Sequence, residues 1–214
     1  IMTDSIFFGA VISVVGYLIG IFLRKKISVL NPLLVSIIFV IAVIKIFHID
    51  YETYNSGAKY ISYLLTPATV CLAIPLYRQI SVLKEHAKEV FIGILAGVLA
   101  SMGSILLMSY LFGLTHEQYV TLLPKSITTA IGMGVSEELG GIQTITVAVI
   151  IITGVLGNII AEAVLKIFRI KEPVAKGLAI GTASHAIGTT KALEIGEIEG
   201  AMSSLSVAVA GLMT

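Results

Sequence analysis

Charge is scarce in this chain. Lysine, arginine, aspartate and glutamate make up 13% of its 214 residues, where ordinary soluble domains carry roughly 25%. With 57% hydrophobic residues, too little charge remains to solvate a globular exterior, and a water-soluble domain is excluded. The net charge of +1 and the lack of a basic stripe outside the loops give no reason to expect nucleic acid. A single cysteine, Cys71, rules out an intramolecular disulfide and a cysteine metal cluster. It reads as a small packing residue beside a broken helix. Of the four histidines, His185 has no companion at ligand spacing and the others fall in loops or at helix ends. No metal and no cofactor are therefore expected. Gly132-Met133-Gly134 lacks the lysine–hydroxyl pair and the preceding strand of a nucleotide-binding loop, which sets aside an ATP-driven pump. Ser184 and His185 are neighbours and would point apart on a helix, so no serine–histidine–carboxylate set supports an enzyme.

What the chain has instead is hydrocarbon. Uncharged runs cover residues 5–23, 27–44, 60–77, 90–116 and 139–161. Each is near or above the ~17–20 residues that a helix needs to cross a bilayer core. The first run is followed by Arg24, Lys25 and Lys26, where a signal-peptide cleavage site would want small residues, so it reads as a retained helix. The expected fold is an all-α polytopic membrane protein of about eight helical segments, some broken or re-entrant. The segments run at about 5–23, 32–47, 58–80, 90–113, 117–138, 142–168 and 174–191, with an eighth from near Glu199. Asn31 and Pro32 open the second as N-cap and N1, and His48 to Asn55 reads as a polar loop. The eighth is short for a spanning helix by Thr214 and is expected to be cut short there. The organisation expected is one integral membrane domain, with N-terminal helices at 1–57, repeat-like units at 58–113 and 117–169, and a C-terminal part at 174–214.

Two polar stretches interrupt the hydrocarbon. Pro124-Lys125-Ser126-Ile127-Thr128-Thr129 combines a helix-breaking proline with a cation and three hydroxyls. Gly181 to Thr190 carries Thr182, Ser184, His185, Thr189 and Thr190 between and beside Gly181 and Gly188. Irregular polar segments within a membrane survive where they are buried in protein or line a cavity, and in secondary transporters they build the substrate site. Lys125 with Ser126, Thr128 and Thr129 could hold a carboxylate, helped by the positive end of a half-helix. The competing reading is a lysine snorkelling to the interface. Thr182, Ser184, His185 and Thr189 are candidates for the same anion site, against the plainer reading of tight small-residue packing. Glu137 and His185 are candidate proton-coupling groups, and Thr66, Thr69 and Asn158 are weaker candidates for cavity lining. Together these features point to movement of a small anion.

An internal repeat appears at an offset of 57 residues. Pro67 and Gly97-Val98-Leu99 recur as Pro124 and Gly154-Val155-Leu156, with Leu65, Ala73, Ile74, Val90 and Ile94 also matched. The positive-inside rule tests its sense. If the fifth segment is re-entrant, the basic loop at 166–176 returns to the side of Arg78, Lys84 and Lys88. The fourth and sixth segments then run in opposite directions, as in an inverted repeat.

On these motifs the chain resembles the LrgB/CidB family. The resemblance rests on Pro124-Lys125-Ser126 with Thr128-Thr129, Ser136 to Ile142, Thr153 to Gly157, Gly181 to His185 with Gly188-Thr189, and Glu199 to Leu205. Ala130 and Ala186 stand where the family pattern suggests proline and glycine, and Lys191 where it suggests arginine. The resemblance implies a multi-pass protein of the bacterial cytoplasmic membrane, homo-oligomeric, working with a small membrane partner of the LrgA/CidA type. It implies either a holin/antiholin-like regulator of murein hydrolase activity and autolysis or a carrier of small carboxylates such as pyruvate, glycolate or glycerate. The residues favour the carrier, since a passive pore needs neither a duplicated broken helix nor a buried cation. A pore and a partner-holding scaffold remain the alternatives.

Overall fold

The computed structural model describes residues 7–27, 30–64, 67, 70, 71 and 73–214, and among these the protein is wholly helical. The chain divides into two compact units, residues 1–70 and 71–214.

In the first unit, α1 (Phe8–Lys26) packs on α2 (Pro32–Ile46) and α3 (Tyr51–Ser62). Glycines set these contacts. Gly9 meets the backbone of Tyr54 and Ala58, Gly16 meets Ser36 and Phe39, and Gly20 meets the backbone of Pro32. Bare Cα atoms allow the close approach that holds helices together in lipid, where apolar burial supplies little drive. Asn31 caps α2, its Oδ1 accepting from the Leu33 and Leu34 amides at 2.9 and 3.3 Å. The stretch expected as a polar loop, His48 to Asn55, is half helix. Asp50 caps α3 by accepting from the Glu52 amide, and the chain is helical from Tyr51. Polar composition hid a helix that its own cap specifies. Leu65, Thr66 and Thr69 lie outside the described residues.

The second unit contains α4 (Ala73–Arg78), α5 (Ile80–Glu85), α6 (Ala87–Phe112), α7 (His116–Leu122), α8 (Thr129–Glu138), α9 (Gln143–Ile167), α10 (Pro173–Ile195) and α11 (Glu197–Met213). Among the described residues, α1, α6 and α9 are long and apolar enough to cross a membrane, and α2 is a shorter apolar helix. The second unit keeps its polarity inside. Ser136, Thr146, Thr189, Ser203 and Ser206 are fully buried, while Phe91, Ile92, Leu106, Leu107 and Ile152 are more than half exposed. That distribution suits hydrocarbon outside and paired hydroxyls within.

Glycine contacts also give the helix directions. Gly93 meets Leu178 and Gly97 meets Thr182, so α6 runs parallel to the first half of α10. Gly157 meets Ser184, while Ala161 and Leu165 cluster with Ile180, so α9 runs antiparallel to it. Helices α6 and α9 are therefore antiparallel, and Gly97 and Gly154, partners in the 57-residue repeat, both receive α10. One end of the unit gathers Arg78, Lys84, Lys88, Lys166, Arg169, Lys171 and Lys176. The opposite turns, 113–118 and 137–143, contain Glu117, Glu137 and Glu138 but no lysine or arginine. The first is the basic end and the second the acidic end.

Candidate functional site

Two helical hairpins enter this unit from opposite ends. The first is α7 and α8. A capping box starts α7, with Thr115 Oγ1 accepting from the Gln118 amide and Gln118 Oε1 accepting from the Thr115 amide. Pro124 then removes a donor and ends the helix. The chain turns through bonds from the Lys125 amide to the Leu122 carbonyl and from the Ile127 amide to the Pro124 carbonyl. Thr128, in an extended conformation, opens α8, which runs back. Its far end is stapled beside the start: Ile142 N donates to Thr121 Oγ1 at 2.8 Å, and Thr146 Oγ1 lies 2.9 Å from the Thr121 carbonyl and 2.7 Å from Ser136 Oγ. The fifth segment thus re-enters and leaves at the acidic end, and the basic loop returns to the side of Arg78.

The second hairpin is α10. Its regular helix is interrupted at one residue, His185, whose φ of 42° and ψ of −146° lie outside any helical region. Gly188 comes to rest against Ser184 and Ile180, so residues 186–195 fold back along 173–184. Positive φ with this ψ is strained for a residue with a Cβ, and the surroundings hold it. His185 Nε2 donates to the Ile150 carbonyl at 2.9 Å, with its ring against Gly154. Thr189 Oγ1 donates to the His185 carbonyl and lies 2.9 Å from Ser203 Oγ on α11. Asn158 Nδ2 donates to the Ile187 carbonyl and to Thr190 Oγ1.

The polar tip of the first hairpin faces α6. Lys125 Nζ donates to Ser126 Oγ at 2.9 Å and to Ser101 Oγ at 3.3 Å, and the two hydroxyls are 3.0 Å apart. No carboxylate pairs with this ammonium among the described residues. Thr128 and Thr129, half-buried at the start of α8, have hydroxyls without a partner among the described residues, beside the unbonded amides of the first turn. A void of about 10 Å³, barely the room of one water, lies between Ser101, Ser126, Thr182 and Thr214. A cleft of about 620 Å³ runs from His86, Glu89 and Glu172 at the basic end, between α6 and α10, to the same Thr182. Gly97 and Thr182 close its inner end: a β-carbon on Gly97 would stand 2.6 Å from Thr182 Oγ1.

Of the residues singled out in the sequence, Lys125, Ser126 and Thr182 come together, with Thr128 and Thr129 adjoining them along the chain. Ser184 packs into Gly157, His185 is committed to the Ile150 carbonyl on α9, and Thr189 to the His185 carbonyl and Ser203. Asn158 braces the second hairpin. Glu137 is exposed at the far end of α8, about 12 Å along the helix from Thr129. Sequence reasoning missed Ser101, the second partner of Lys125, and the buried Thr121, Thr146, Ser203 and Ser206. A signal existed for Ser101, which lies four residues beyond Gly97 on the same face of an apolar helix. Among the described residues no three metal-ligating side chains converge.

Two opposed hairpins clasped by long antiparallel apolar helices define an all-α membrane protein with a polar centre. Sequence comparison gives that class a family. The LrgB-like family model matches residues 13–214, and the chain belongs to that family. It is 38% identical over 215 residues to the antiholin-like protein LrgB of Bacillus mycoides (strain KBAB4), covering 99% of this chain and 94% of the relative. The antiholin-like LrgB proteins of Bacillus cereus (strain B4264) and Bacillus anthracis (strain CDC 684 / NRRL 3495) match to the same extent. No solved structure matches.

Proposed function

We propose that this protein is a secondary carrier of small monocarboxylates of the pyruvate, glycolate or glycerate kind, multi-pass in the bacterial cytoplasmic membrane. One observation carries the reading: a lysine held by Ser101 and Ser126 at a helix break, with no carboxylate partner among the described residues, beside two threonine hydroxyls without any partner there. A small carboxylate would accept from the ammonium and from the first-turn amides of α8, while threonine and serine hydroxyls meet its hydroxyl or oxo group. The positive-inside rule puts the basic end in the cytoplasm. The 620 Å³ cleft is then an inward vestibule, and the Gly97–Thr182 contact is the barrier between it and the lysine. Opening that contact while the acidic end stays stapled would give the inward-open half of an alternating-access cycle. No enzymatic step is needed. A small LrgA/CidA-type membrane protein is the proposed partner, and a homo-oligomer the proposed assembly.

The relatives' names, antiholin-like protein, favour a second reading, a holin/antiholin-like pore or regulator of murein hydrolase activity and autolysis. Uptake of labelled pyruvate and glycolate into vesicles, with and without the small partner, separates the two. Saturable uptake that falls roughly 10- to 100-fold in Lys125→Ala supports the carrier. Unselective leakage indifferent to that substitution supports a pore, and absence of flux in both preparations leaves the antiholin-like role acting through the partner.

A further inference from the structure

A second cavity lies at the basic end, apart from the lysine site. It measures about 570 Å³ and sits between the end of α9, the turn into α10 and the base of the second hairpin. Four cations line it, Lys166, Arg169, Lys171 and Lys176, against one carboxylate, Glu162. That carboxylate is already engaged, 2.6 Å from Lys191 and 3.9 Å from Lys166, and Lys176 is 3.6 Å from Glu199. Arg169 and Lys171 are exposed and have no carboxylate partner among the described residues. The floor is apolar, from Leu165, Ile170 and Ile195, and Ile167 and Phe168 beside it are more than 70% exposed.

A cavity with an apolar floor, a basic rim and hydrocarbon-seeking neighbours suits one ligand chemistry. We infer that it binds a phosphate-bearing anion at the membrane boundary, and the exposed Ile167 and Phe168 make a lipid headgroup its source. Arg169 offers a planar fork that matches phosphate oxygens, and the lysines supply point charge. Basic pockets between membrane helices take anionic headgroups for this reason. Because Lys176 stands on the first arm of the hairpin and Ile195 ends the second, a bound headgroup would brace the base of α10. The site does not depend on whether the protein is a carrier.

The test is thermal unfolding of the full-length protein in mixed micelles, titrated with phosphatidylglycerol, phosphatidylcholine or inorganic phosphate. Phosphatidylglycerol should raise the melting midpoint and phosphatidylcholine should not. In Arg169→Gln/Lys171→Gln the lipid should bind more weakly by roughly fivefold per cation, about 25-fold together. Neither side chain has a partner to lose among the described residues, so the unliganded midpoint should hold. If the double variant fails to fold, Lys171→Gln alone should still show the fivefold loss. A response to inorganic phosphate that the variant also loses supports the site with a free anion as its source. A wild type that responds to neither phosphate source, or a variant that responds as wild type does, overturns the proposal. Vesicle uptake of carboxylates tests the lysine site separately.

Discussion

The two hairpins solve the same problem with opposite economies. Each turns a helix back inside an apolar unit and so leaves backbone groups to be satisfied. The second turns on one residue and commits its polar atoms to bonds within itself and with α9 and α11: His185 to Ile150, Thr189 to His185 and Ser203, and the Ile187 carbonyl to Asn158. The first turns over several residues after a proline and, among the described residues, leaves a cation bonded only to serine hydroxyls, two threonine hydroxyls without a partner and a helix start without a side-chain cap. A well-satisfied polar network rigidifies, and an incompletely satisfied one leaves groups that water, an ion or a ligand can meet. The second hairpin is built as a strut, and under the carrier proposal the first is the binding element.

That contrast can be broken most severely at Gly157. A valine there would drive two methyls into Ser184, at an overpacking cost of about 3 kcal/mol or more. The melting midpoint should fall sharply, and Ser184→Gly in the same chain should recover part of the loss. If Gly157→Val melts as wild type does, the hairpin is not packed as described.

Lys125→Ala should behave in the opposite way. Ser101 and Ser126 still bond each other, so melting should stay close to wild type. Carboxylate uptake should drop by roughly 10- to 100-fold, the value of a hydrogen bond to a charged group. A large loss of stability with uptake intact would make this lysine a strut as well.

At His185 the comparison sharpens, because a glycine relaxes its backbone while an alanine does not. His185→Gly should be more stable than His185→Ala by about 1–3 kcal/mol, read from chemical or thermal unfolding. Equal stabilities would remove the strain from the account. Ser101→Ala, which takes one of two hydroxyl partners from the ammonium, should weaken uptake only by about fivefold, as expected for about 1 kcal/mol. Smallest of all, Glu162→Gln breaks half-exposed ion pairs and should shift stability by less than about 1 kcal/mol.

Much of this was legible before any coordinates. The uncharged runs located α1, α2, α6 and α9 because hydrocarbon thickness dictates run length. Pro124 and the Gly181–Thr190 stretch marked both breaks because backbone chemistry there is local. Capped polar helices were less legible: α3 rests on a single aspartate that composition reads as loop. The sequence singles out Lys125 but not its partner on α6, since Ser101 is 24 residues away along the chain. His185, Ser184 and Thr189 were grouped with the lysine because all are polar and deep. The fold instead divides them, according to which atoms lie within bonding distance.

The sequence by itself determined that this chain lives in a membrane, is helical, breaks its helices at two polar stretches and repeats a proline-to-glycine pattern. Those are consequences of composition, period and local backbone limits. Only the tertiary structure decided that both breaks are reversals, that α6 and α9 oppose each other, and which hydroxyls are spent and which stay free. Hydrogen bonding acts over about 3 Å, and no spacing along the chain states which distant residues come within that reach.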